Sequence, residues 1–177
     1  MDLAARLTED GFNSIGSIVG VDANAAAHGR VLCDYFTVLP MAEEDPTGYV
    51  SGWQNLRATH NVELILALSE GESRVLSTHA EQFKTDGVRL SVGPQDRVAV
   101  MTDKLRMLEV AASNGIDNGP FCSVDNDRDA ASALRELGYP QRKVIIKPRK
   151  NHGARGILIV DGGKTEWNLL SSKRFVG

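Results

Sequence analysis

Apolar and polar positions follow two rhythms along this chain: short apolar runs that suit strands, and longer stretches in which apolar residues recur every three or four positions, as on one face of a helix. Leu3, Ala4 and Leu7 share a helical face, and Gly11 follows where a left-handed cap would sit, so a short helix is expected over 2–10. Ile15, Ile18, Val19 and Val21 form a run without strict alternation, the pattern of a strand covered on both faces, and Asp22 ends it. A second strand is expected over 35–39, closed by Pro40, then an acidic loop over 42–48 and a helix over 49–59. The run 62–68 reads as the best buried strand, and 70–85 behind it carries Val75, Leu76, His79 and Phe83 on one side, as a helix would. Over 87–92, Val88, Leu90 and Val92 alternate inward, and Pro94 stands where a helix can begin, because its missing N–H costs nothing in a first turn. Short apolar strands alternating with helices of about ten residues mark a parallel sheet covered by helices, so the fold class is α/β.

The pattern changes near residue 103. Met101, Leu105, Leu108 and Ala112 share one helical face, and Asn114-Gly-Ile-Asp-Asn-Gly-Pro breaks it, which places a domain boundary there: 1–113, then 114–177. Beyond it the expected elements are a short strand over 121–124, an amphipathic helix over 127–137 closed by Gly138, strands over 143–147 and 156–160, and a last helix over 164–171.

Composition narrows the function classes. With 42% apolar and 24% charged residues among 177, the chain is globular rather than disordered or fibrous. The 20 Lys plus Arg against 23 Asp plus Glu leave a net charge of -3, so no long-range field favours nucleic acid or an anionic membrane, and neither is expected as a partner. Cys33 and Cys122 stand far apart with no metal-ligand spacing, which argues against a disulfide framework or structural zinc and fits a reducing cytoplasm. No apolar run nears the ~20 residues that span a bilayer, and the start lacks the pattern of a signal peptide. His28, His60, His79 and His152 are scattered, so no metal site is expected. Ser77, Ser91 and Ser123 lie in no G-x-S-x-G context. Asp22 ends a strand as the ribose-binding acid of a dinucleotide fold does, but the glycine fingerprint that should precede it is missing.

One stretch can carry chemistry. Val144-Ile-Ile-Lys-Pro-Arg-Lys-Asn-His-Gly-Ala-Arg-Gly-Ile is an apolar strand ending in a lysine and running into a basic, glycine-bearing loop. Glycines let backbone N–H groups approach an anion, and Lys147 and Arg155 offer charge-assisted donors to phosphate oxygens. A plain β-hairpin, with Gly153 and Gly156 merely permitting positive φ and the cations solvated, fits the same residues. Asp103-Lys104 at a helix start is a second candidate, the Asp as a cap and the Lys as a further phosphate contact.

The order Asp103-Lys104, a helix, Asn114-Gly-Ile, a short strand, a helix ending Glu-Leu-Gly-Tyr-Pro, then Val-Ile-Ile-Lys-Pro and a Gly-rich loop resembles the ATP-grasp superfamily. The likeness is to its carbamoyl phosphate synthetase-like branch, which joins a Rossmann-like preATP-grasp domain to a two-lobed ATP-grasp domain. Ile18-Val-Gly-Val-Asp-Ala-Asn and Gly87-Val-Arg-Leu-Ser-Val-Gly-Pro resemble that branch's second strand and its last strand before the Asp-Lys helix. The resemblance implies a preATP-grasp parallel sheet over 1–113 followed by a partial α+β ATP-grasp N-terminal lobe over 114–177. It implies ATP as cofactor, with Lys104, Lys147, Gly153, Arg155 and Gly156 as ATP-binding residues. It also implies a ligase that phosphorylates a small carboxylate to an acyl phosphate, which an amine or thiol then attacks, with Mg2+ balancing the phosphoryl charge.

The sequence departs from the family at three places. His152, Ala154 and Arg155 stand where the loop commonly has Ser or Gly. The chain opens at a helix, without the family's first strand, and it stops before the adenine hinge and the side chains that hold magnesium. A truncated or split chain is therefore expected, either the ATP-binding part of a ligase or a non-catalytic subunit that needs a partner chain or self-association. A dinucleotide or nucleotide-sugar module ranks below both, for want of the glycine fingerprint.

Overall fold

The structure is a computed structural model, and it describes residues 16–150, 156–163 and 168–169. The helix expected over 2–10 lies outside them. The chain divides into two compact units, Met1–Val98 and Ala99–Gly177. The division falls before the helix Lys104–Ser113, which the sequence pattern grouped with the first domain.

In the first unit, β1 (Val19–Asp22) and β2 (Tyr35–Val38) pair in parallel, joined by a 3-10 turn at His28–Leu32. Helix α1 (Pro46–His60) follows, then β3 (Leu64–Ile65), α2 (Glu70–Thr78), α3 (Ala80–Thr85) and β4 (Arg89–Leu90), with β3 and β4 again parallel. The order is α/β with parallel strands, as expected, and among the described residues the strands pair as two two-stranded sheets rather than one. One core serves both: Tyr49, Val50, Trp53 and Leu56 of α1 are buried with Ile65, Leu76, Phe83 and Val88, and Val19, Val21 and Leu90 pack against them.

Several boundaries differ from the pattern-based expectation. Helix α1 starts three residues early, because Asp45 accepts the Gly48 N–H at 2.8 Å as an N-cap and Pro46 fits the first turn. The supposed buried strand over 62–68 shortens to Leu64–Ile65: Ile65 is 1% exposed while Leu64, Leu66 and Leu68 are 48%, 43% and 85% exposed. Leucine content, not burial, made that run look like a core strand. The helix expected over 70–85 breaks at His79 into α2 and α3, although Leu76 and Phe83 are buried as the spacing implied. Val88 is buried and Leu90 and Val92 pack on the core, as the alternation around β4 indicated. Helix α4 (Gln95–Met101) then follows Pro94, whose carbonyl accepts the Arg97 and Val98 N–H groups.

In the second unit, α5 (Lys104–Ser113) starts afresh at Asp103, so Met101 belongs to the preceding helix and not to the α5 face. Residues 121–124, expected as a strand, form none among the described residues. Helix α6 (Asp127–Glu136) is followed by Gly138 at φ 95, a left-handed position that suits glycine. Strands β5 (Val144–Ile146) and β6 (Leu158–Val160) pair antiparallel, and β7 (Asn168–Leu169) adds antiparallel to β6. A strand thus stands at 168–169, where a helix over 164–171 was expected. No helix among the described residues is long and apolar enough to cross a membrane.

Candidate functional site

The two candidate lysines sit on elements that the structure ties together. Lys104 is the first residue of α5, half-buried, directly after the cap residue Asp103. Lys147 is exposed and follows the last residue of β5. The apolar triplet Val144-Ile-Ile makes β5, and Pro148, which cannot donate to a ladder, stands just after it. The chain then turns at Arg149 toward the start of α5.

Asp103 joins the two segments. Its carboxylate, 4% exposed, accepts the Arg149 Nε–H with Oδ1 at 2.7 Å and Oδ2 at 2.8 Å. Oδ1 also accepts the Arg106 N–H at 3.3 Å, so the same group caps the helix. The Lys104 N–H donates to the Arg149 carbonyl at 3.0 Å, which satisfies one of the donors a helix start leaves without an internal partner. The hydrogen bond from Arg149 holds the Asp103 carboxyl below the usual carboxylate range, against the opposing effect of desolvation. The partner effect holds the Arg149 guanidinium above its ordinary value.

Cations therefore gather at one end of the second unit. Lys104, Lys147, Arg149 and Lys150 lie on the joined segments, with Asp103 as the buried counter-charge. Such a cluster beside a helix start can take an anion of more than one charge. Gly156 is at φ 70 and exposed, in the turn that enters β6, a conformation glycine adopts without strain. Gly153 and Arg155 lie outside the described residues. The sequence pointed to both lysines and to Asp103 as a cap, but Arg149 was missed. Its partner is 46 positions away, and no local pattern marks the pair.

Asp22, Asp161 and Trp53 have structural roles. Asp22 Oδ1 accepts the Asn24 N–H at 2.8 Å, shaping the turn after β1. Asp161 pairs with Lys143 at 3.1 Å and accepts the Gly163 N–H at 3.1 Å. Trp53 is packed in the core, 5% exposed. No group of three His, Cys, Asp or Glu able to hold a metal occurs among the described residues.

No protein-family model matches the chain, and no curated protein matches it. Solved structures do. The biotin carboxylase domain of the 2-oxoglutarate carboxylase of Hydrogenobacter thermophilus, solved as a dimer with MgADP, ADP and bicarbonate, is similar at a TM-score of 0.61 and 19% identity. The match covers 89% of this chain and 35% of that one. The biotin carboxylase domain of a single-chain bacterial carboxylase is similar at 0.54 and 16% identity, over 84% of this chain and 35% of that one. The chain thus spans about a third of the length of the solved structures it matches, and over that span it shares the fold of these biotin carboxylase domains.

Proposed function

We propose that this chain binds the phosphates of ATP at the joined start of α5 and exit of β5, as the ATP-binding part of a ligase of the ATP-grasp type. The observation that carries this is the tie from Asp103 and Lys104 to Arg149, which brings the segments of Lys104 and Lys147 to one place in a fold shared with ADP-binding domains. Lys147 and Lys104 neutralise phosphate oxygens, and the family resemblance adds Gly153, Arg155 and Gly156 as further ATP-binding residues. In the complete ligase the transferred phosphoryl group passes to a small carboxylate, and an amine or thiol displaces it from the acyl phosphate. The carbamoyl phosphate synthetase-like branch fits the motif order, and a cytoplasmic setting fits the wide spacing of Cys33 and Cys122 in the sequence.

A second function has its own support. Among the described residues β1 pairs only with β2, and β3 only with β4, so each of β1 and β3 has an edge without a strand. Such edges recruit other chains, which favours a subunit that binds nucleotide without turning it over until a partner joins it.

Calorimetric titration of MgADP and MgATP tests the phosphate site. Lys147→Ala should weaken binding about ten- to a hundred-fold, the value of one charge-assisted contact. Unchanged affinity removes Lys147 from the site.

A further inference from the structure

We propose that Asp103 and Arg149 form a latch that fixes the spacing of Lys104 and Lys147, which makes Arg149 a positioning residue for nucleotide phosphates. The inference rests on the phosphate site proposed above and adds to it a residue that the motif does not supply. Asp103 precedes Lys104 directly, and Arg149 follows Lys147 by two residues, so the pair bridges the two lysines at their closest points in the chain. Two residues of chain extend at most about 7 Å, and the Lys104 N–H already touches the Arg149 carbonyl at 3.0 Å. The two lysine backbones are thereby held within about 12 Å, a span that two long side chains can close around one diphosphate.

The geometry is that of a constraint rather than a surface ion pair. Both Asp103 oxygens accept the same Nε–H, at 2.7 and 2.8 Å, and the carboxylate is nearly buried while the Arg149 side chain is 53% exposed. Arg149 uses Nε, which lies nearer the backbone than its terminal nitrogens, so the bond fixes where the main chain leaves β5. Without that bond the cations at Lys104, Lys147 and Lys150 repel one another and the β5 exit is free to move off the helix start. A ligand would then have to order the segment as it binds, and affinity falls by that cost.

The test uses the full chain, with MgADP as probe in calorimetry and hydrogen exchange of the Lys104 amide as an independent readout. Arg149→Met should weaken MgADP about ten-fold and speed exchange at Lys104, while Arg149→Lys, which keeps the charge, recovers part of the affinity. Asp103→Asn keeps a cap acceptor for the Arg106 N–H but loses the charge, and should weaken MgADP in the same direction. It decides the matter if Arg149→Met does not fold. Wild-type affinity in both variants, with Lys147→Ala still defective, overturns the latch and leaves the phosphate site standing. Wild-type affinity in Lys147→Ala as well overturns both.

Discussion

A single buried carboxylate organises the candidate site, and its protonation links the site to pH. Arg149 lowers the Asp103 pKa below the ordinary aspartate value of about 4. The folded carboxylate therefore keeps its charge where an unfolded one has begun to protonate. Its stabilisation is complete above the unfolded value and is lost as pH falls through the lower folded value. Urea unfolding of the wild type and Asp103→Asn should give a stability difference that is constant near neutrality and closes below about pH 4. A difference that persists unchanged into acid would contradict the ion pair. At this scale the sequence was half legible. Asp before a helical run announces a cap, which Asp103 provides for the Arg106 N–H, but its Arg149 partner could come only from the fold.

Among the elements, the start of α2 shows how a local signal and a tertiary contact share one residue. Ser69 Oγ accepts the Glu72 N–H at 3.1 Å, and Glu72 Oε2 accepts the Ser69 N–H at 2.9 Å and the Leu68 N–H at 3.0 Å. Glu72 Oε1 also accepts the Tyr49 hydroxyl at 3.0 Å, which joins α2 to the buried face of α1. Burial holds the Tyr49 phenol well above its ordinary range, so it stays protonated and keeps donating. Ser69→Ala should cost about 1 kcal/mol in denaturant unfolding, as a lost cap. Glu72→Ala should cost more, about 2 to 3 kcal/mol, because it also removes the acceptor of the Tyr49 hydroxyl. Equal costs would show that the Tyr49 contact contributes nothing. Neither the Ser69-x-x-Glu72 capping box nor the Asp45-Pro46 helix start was read from the sequence, and the apolar period alone placed α1 late because its first turn faces solvent or cap rather than core.

Across the whole molecule, the alternation of strands and helices revealed the α/β class, and the fold is shared with solved biotin carboxylase domains. Strand pairing was not legible. Periodicity says which face of a strand is buried, but not which neighbour holds its edge, so the separation of β1–β2 from β3–β4 emerged only in three dimensions. If those edges recruit a chain, purified protein should self-associate in light scattering and release ADP negligibly when given MgATP with carboxylates and amines. A stable monomer with robust ADP release would contradict that account. The central claim, that nucleotide phosphates sit between α5 and the β5 exit, is tested most directly by mapping backbone amide shifts as MgADP is added to isotope-labelled protein. The account predicts shifts concentrated at Lys104 to Arg106 and Lys147 to Lys150, together with Gly156. Shifts confined to residues of the first unit, or none at saturating MgADP, would contradict it.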